Sequence, residues 1–327
     1  MHRFESRLVV FLSAVLLGVA ASPGLAQQRY PSKHITIVVP FPPGGTADTF
    51  ARVMGRRFSE SMGQPVIIEN RPGAGGIVGA IAAKNAAPDG HTLFVGHKGT
   101  HSLYVLMAQK PEYDPVADFT PIGTYMVNQS ILVVPPGLKV NSVAELLALA
   151  KSRPGGLNFA SQGVGTSGHF LGEMFRVATG APMTHIPTKG GAAAVTETVA
   201  GRTDFLFAAY GAAGDFVRDG RLKPIAVAAQ ARSKTLPDVP TLLELGVHNV
   251  EFDTWFGFFG PAKMPRDIVT RLNGEIRNAI AHPDMVKALD NFKIDPMPGT
   301  PEELGKLVVD EIARYRDIVK VIGVKID

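Results

Sequence analysis

Three glycine-rich segments carry the residues whose backbone and side chains could do chemistry. They are Phe41-Pro-Pro43-Gly44-Gly45-Thr46, with Asp48 two residues on, Asn70-Arg-Pro-Gly-Ala-Gly-Gly76, and Gly163-Val-Gly165-Thr166-Ser167-Gly168. Glycine lets a backbone approach a ligand closely. Each segment follows a strand-like run and opens a helical pattern, so each is expected at the carboxyl edge of a sheet, where open α/β sheets bind ligands. Helix N-termini there present unpaired N–H groups and a partial positive charge suited to a carboxylate or phosphate. Phe41, Pro43, Gly44, Gly45 and Thr46 are the candidates on the first segment, and Gly165, Thr166, Ser167 and His169 on the third. Asp48 falls in a first helical turn, where a dipole-favoured structural carboxylate is preferred over a ligand contact. A fourth segment, Gly96 to Ser102, adds the donors His97, Lys98, Thr100 and His101.

Other chemistries lose ground on spacing. Gly163 to Gly168 spells a literal G-x-G-x-x-G. A dinucleotide site also needs an acidic residue about 20 positions on, and Met183 to Lys189 has none. The glycine loops lack the Gly-Lys-Ser/Thr ending of a P-loop, and neither G-x-S-x-G nor H-E-x-x-H occurs. His97 and His101 are four apart, but Gly99 interrupts them and no third ligand is near, which argues against zinc. No carboxylate pair is marked out for glycosidase chemistry. Anion cradles without a reacting group favour binding over catalysis, with no metal and no cofactor. An exported hydrolase on the same scaffold is the enzymatic alternative.

The elements that must position these loops follow an α/β rhythm. Ile35–Val39, Val66–Glu69 and Thr92–Val95 read as strands, with helices over Thr46–Met62 (Thr46 as its cap) and Ile77–Ala86. The pattern restarts after Pro135-Pro136. Helices are predicted over Val143–Lys151, His169–Thr179 and Ala192–Ala200, with strands at Leu157–Ala160, Met183–Ile186, Phe205–Phe207 and Leu222–Ala229. Pro237 to Gly246 reads as a turn and short helix, and Val250 to Phe259 as β-prone. A helical tail covers Arg266–Ala281, Pro283–Asn291 and Pro301–Ile322, with Ile268, Leu272, Ile276 and Ile280 as a core-facing stripe. The expected fold class is therefore α/β, built as two parallel-sheet blocks. The chain would cross between them near residues 125–135 and 245–260, making a two-crossing hinge.

Bulk properties bound the setting. Arg3 and Arg7, the apolar run Leu8–Ala21 and the small-x-small site Gly24-Leu-Ala26 have the order of a secretory signal peptide cleaved after Ala26. The run is shorter than the roughly 20 residues of a membrane span. With no cysteine among 327 residues, disulfides, a thiol nucleophile, thiolate zinc ligands and a lipoprotein anchor are excluded. The formal charge of +4 is spread out, with no basic block to mark a nucleic-acid surface.

Several motifs in one order resemble a known family. Pro40-Phe-Pro-Pro-Gly-Gly with Asp48, Ala51 and Arg52, then Glu69-Asn-Arg-Pro-Gly-Ala-Gly-Gly76 and Ala87-Pro-Asp-Gly, are similar to the tripartite tricarboxylate transporter substrate-binding proteins, or Bug family. Asp118-Phe-Thr-Pro-Ile122, His185-Ile-Pro-x-Lys-Gly190, Leu236-Pro-Asp-Val-Pro-Thr-Leu242 and Trp255-x-Gly257 extend the likeness from Tyr30 to the C-terminus. The resemblance implies a type II periplasmic-binding-protein fold, a Venus flytrap with lobe 1 from residues 27–130 plus 250–327 and lobe 2 from 131–249. It implies a monomer in the periplasm that is not an enzyme. Such a protein captures a small carboxylic acid (a di- or tricarboxylate, amino acid or aromatic carboxylate) and delivers it to membrane transporter subunits. A sensor role is the alternative. The first-lobe candidates would hold a ligand carboxylate, while the Gly163–His169 loop, Thr188, Lys189 and Gly190 would close from the second lobe. Thr188 stands where many members have tyrosine, and Tyr210 is the candidate to supply the missing ring.

Overall fold

The computed structural model describes residues 30–229, 231–233, 236–250, 252–323 and 325. The expected signal segment 1–26 lies outside the described residues. From Lys33 onward the described residues form one compact unit.

The first block runs β1 (Ile35–Val39), α1 (Thr46–Met62), β2 (Val66–Asn70), α2 (Ile77–Lys84) and β3 (Thr92–His97), then a π-type turn over Gly99–Leu103 and the short α3 (Tyr104–Met107). β4 (Phe119–Val134) is a 16-residue strand. The second block follows as α4 (Val143–Ser152), β5 (Leu157–Ser161), α5 (Ser167–Thr179), β6 (Met183–Pro187), α6 (Gly191–Val199), β7 (Phe205–Ala209), α7 (Tyr210–Arg218) and β8 (Lys223–Val227). The chain ends with β9 (Asp253–Pro261), α8 (Arg266–Ala281), α9 (Pro283–Phe292), the two-residue β10 (Asp295–Pro296) and α10 (Pro301–Ile322).

β1 pairs in parallel with β2 and β3, and β5 with β6 and β7, as the strand–helix–strand rhythm requires. The two long strands differ from that pattern. β9 runs antiparallel between β3 and β4. β4 pairs with β9 along Phe119–Gln129, then with β7 and β8 along Ser130–Val134. One strand therefore belongs to both sheets, and the continuous order is β2-β1-β3-β9-β4-β7-β5-β6.

Burial follows the apolar faces. Val38, Phe94, Phe119, Trp255 and Phe259 share one cluster, and Leu157, Phe159, Phe175, Phe205 and Phe207 another. The last helix serves both: Leu304 and Val308 join the first cluster, Tyr315, Val319 and Ile322 the second. About two turns of α10 separate Val308 from Tyr315, so one 22-residue helix reaches both clusters.

Several local expectations change. Thr46 is the first residue of α1 and does not cap it; Gly45 takes the cap position, with no side-chain bond. Thr241 to Gly246 forms turns without a helix. β4 and α7 are elements that periodicity does not reveal. Asn128-Gln129-Ser130 interrupts the apolar run of β4, and α7 opens as Tyr210-Gly-Ala-Ala-Gly214, whose two glycines weigh against a helix.

Candidate functional site

A cavity of about 250 Å³ lies where these loops converge. Its floor comes from strand periodicity. Asn128 and Ser130 of β4, Thr254 and Phe256 of β9, and Phe207 and Ala209 of β7 all line it. Each pair is two residues apart and so points to one face of its strand. Register places Asn128 opposite Thr254 and Ser130 opposite Ala209.

Four helix starts surround this floor. Gly45 to Ala47 opens α1, Thr166 to Gly168 opens α5, Gly190 to Ala192 opens α6, and Ala209 with Gly211 and Ala212 opens α7. None of the four cap positions (Gly45, Thr166, Gly190, Ala209) makes a side-chain hydrogen bond to its helix. Ser142, His282 and Thr300 cap α4, α9 and α10, while Gly76 and Pro265 before α2 and α8 also make no such bond, so it is the convergence of four open starts on one cavity that marks the site. Each uncapped start carries about half a positive charge. Among the described lining residues Lys189 is the only charged side chain and none is a carboxylate. The field at its centre therefore favours an anion.

Two close approaches shut the cleft. A Cβ placed on Gly190 would just meet the ring carbons of Pro42 at 3.5 Å, so the loops of the first and second blocks approach there to within a methyl group of contact. On another side Gly75 packs against the Val164 carbonyl.

The expected site residues divide by position. Phe41, Pro43, Gly44, Gly45, Thr46, His97, Thr166, Ser167, Lys189 and Gly190 line the cavity. The others sit behind its wall. Asp48 is 3 % exposed and accepts the Gly44 N–H (2.9 Å), the Arg52 guanidinium (2.9 and 3.0 Å) and the Asn70 amide (2.9 Å). Burial alone would raise its carboxyl pKa, but these hydrogen bonds outweigh it and hold it below the usual range. It ties the first loop to α1 and β2. Lys98 turns inward, where its ammonium meets Glu311 Oε1 at 2.8 Å and the Tyr315 hydroxyl at 3.1 Å and lies over the Phe252 ring. The Thr100 hydroxyl accepts the His97 N–H, and His101 stacks on Phe259 at 3.7 Å.

Gly165 and His169 are joined behind the third loop, the Gly165 N–H donating to His169 Nδ1 at 3.2 Å. His169 in turn stacks on His185 at 3.8 Å, and burial lowers their pKa values to about 3 and about 4. His185 Nε2 lies 2.6 Å from Ser161 Oγ, which also accepts the Gly163 N–H. Ser161 is fully buried and outside the cavity wall, so this pair braces the loop. The Thr188 hydroxyl bonds the carbonyls of Ser161 and Gly190, and Tyr210 lies outside the lining while its neighbours Ala209 and Gly211 are in it.

His97 has a defined proton. Its Nδ1 accepts the Gly99 N–H at 3.0 Å, so the neutral ring carries its hydrogen on Nε2. Burial lowers its pKa to about 3, which keeps it neutral at ordinary pH. Nε2 has no partner among the described residues; nor have Asn128 Oδ1 and Ser167 Oγ. Asn128, Ser130, Gln162 and Thr254 escaped the sequence reading. The polar break Asn128-Gln129-Ser130 within an apolar strand is the signal that could have found two of them.

Comparison with known proteins places this geometry. The model of the tripartite tricarboxylate transporter family receptor matches residues 50–324. Protein BugT of Bordetella pertussis is 32% identical over 323 residues, 98% of this chain and 99% of the relative. Among solved structures, R. palustris Rpa4515 with adipate superposes with a TM-score of 0.86 at 32% identity, covering 90% of this chain and 99% of that one. MatC from Rhodopseudomonas palustris with bound malate gives 0.84 at 33% identity, covering 89% and 100%. BugD, a periplasmic binding protein, is a further neighbour at 0.85 and 28% identity. With several family motifs, the matching model and these folds in agreement, the chain belongs to the tripartite tricarboxylate transporter receptor family of solute-binding proteins.

Proposed function

We propose that this protein binds a small carboxylate between two lobes in the periplasm and hands it to a membrane transporter. The observation that carries the reading is the ring of four uncapped helix N-termini around a cavity with no carboxylate among its described lining residues. Unpaired N–H groups and dipole ends stabilise a carboxylate without a full counter-charge. The adipate and malate held by its relatives are ligands of that class.

Lobe 1 would comprise residues 27–130 with 250–327, and lobe 2 residues 131–249. The hinge would lie where β4 passes from one sheet to the other and where the chain returns into β9. Closure brings Pro42 to Gly190 and Gly75 to Val164, completing the cavity from both sides. The ligand would be released unchanged. Asp48, Lys98, Thr100, His169 and Thr188 would act by positioning the loops, and the lining residues by contact. A cleaved leader ending at Ala26 would export the chain.

Calorimetry of the mature protein against carboxylic acids and their matched amides tests the reading. Acids are expected to bind at least tenfold tighter. Equal affinity for acids and amides would sink it.

A further inference from the structure

The strongest asymmetry in the cavity is aromatic. Phe41, Phe207, Phe256 and Phe292 line it from four different elements. Phe41 lies 5.0 Å from the His97 ring, and His97 lies 5.7 Å from Phe256, so three rings form a continuous wall. Phe207 and Phe256 are buried in the strand floor. Phe292 is held by Phe50, edge-on at 5.4 Å, and by Gly211. A Cβ at Gly211 would come within 2.6 Å of the Phe292 ring, so the glycine admits that ring to the cavity.

The polar groups that remain on the floor are neutral. Asn128 is 4 % exposed and its Oδ1 has no partner among the described residues; Ser130 and Thr254 flank it. The one cation among the described lining residues, Lys189, is a solvent-exposed residue.

We infer that the cavity selects aromatic carboxylates over aliphatic acids of the same charge, an inference that rests on the carboxylate reading above and deepens it. The carboxylate sits at the helix N-termini and the ring body lies among the phenylalanines. Aromatic faces and edges attract one another through their quadrupoles, beyond simple area burial. A rigid ring also loses less freedom on binding than an alkyl chain of equal length. A short acid bearing three carboxylates would have to desolvate part of its charge against ring faces.

Matched pairs test this: benzoate against hexanoate, and terephthalate against adipate, by calorimetry on the mature protein. The aromatic member should bind about tenfold tighter in at least one pair, the scale of one to two favourable ring contacts. Phe292→Leu keeps apolar volume at a half-buried position, and should collapse the aromatic-to-aliphatic ratio toward one while the melting temperature changes little. The ratio is the readout, since a merely structural role would weaken both members alike. Equal or tighter aliphatic binding in both pairs overturns the inference, as does an unchanged ratio in Phe292→Leu or no binding by any of the four acids. If acids still outbind their amides, the carboxylate reading survives that failure. If they do not, that reading has failed separately.

Discussion

Gly75 packs directly on the carbonyl of Val164: a Cβ at Gly75 would stand 2.7 Å from that oxygen. Both belong to glycine-rich loops, one from each block, and neither carbonyl nor loop can yield as a flexible side chain would. Gly75→Ala should therefore prop the cleft open. Gly63→Ala is the control, because Gly63 shares its backbone conformation (φ +70 against +66) with nothing within 4 Å of a Cβ. Both variants should lose about 1–2 kcal/mol of stability from left-handed strain. Only Gly75→Ala should weaken ligand affinity, by about tenfold or more, the effect of a coupling free energy of 1–3 kcal/mol. Parallel calorimetry and denaturant unfolding separate the two effects.

The buried ion pair Lys98–Glu311 joins the strand entering the site to the last helix. Glu311 Oε2 also accepts the Ser102 hydroxyl (2.6 Å) and the Trp255 indole N–H (2.8 Å). Lys98→Met strands a buried carboxylate and should cost about 3–5 kcal/mol. Adding Glu311→Leu should recover part of that loss, since the uncompensated charge is gone. Urea unfolding of the single and double variants checks this, and a double variant no more stable than Lys98→Met counts against it.

Acid should destabilise the protein well before its carboxylates titrate. Burial lowers the pKa of His97 and His169 to about 3 and of His185 to about 4, and pushes His101 down as well. An unfolded histidine titrates near pH 6.5, so below that pH the unfolded chain binds more protons than the folded one. Stability should be level above pH 7 and fall as pH drops from about 6.5 toward 4. Each such histidine contributes up to about 1.4 kcal/mol per pH unit in that window. Unfolding midpoints at pH 7.5 and pH 5 should differ, and His169→Gln should reduce the difference.

Asp48 is expected to act on affinity through the loop. Asp48→Asn loses the charge-assisted bonds to Arg52 and should cost about 1–3 kcal/mol of stability. Affinity should fall as the Gly44–Gly45 cradle loosens. Unchanged melting temperature together with unchanged affinity would remove both roles.

The exported protein should begin at Gln27. Intact-mass measurement on secreted material tests the leader expectation, and a chain retaining Met1–Ala26 would contradict it.

Much of the fold was legible because local patterns carry their own physics. The β-branched run Ile35–Val39 became β1 within its expected limits, and α8 and α10 span their expected residues. β4 was not legible: its polar residues look like a linker until two sheets close around them. Nor could spacing show which way Lys98 turns. It directly follows His97, yet His97 borders the cavity and Lys98 is drawn to Glu311, over 200 positions away.

Residue types alone establish where the backbone is permissive. Its glycine loops between strand and helix set the anion-binding character of the site, because φ freedom and helix N-termini are local properties. Which side chains meet is a property of the folded packing. Asn128, Thr254 and Phe256 become one floor through cross-strand register, and Phe292 reaches the cavity through the gap left by Gly211. Those contacts join segments far apart in the chain, and burial decided whether each polar group serves the cavity or the frame that holds it.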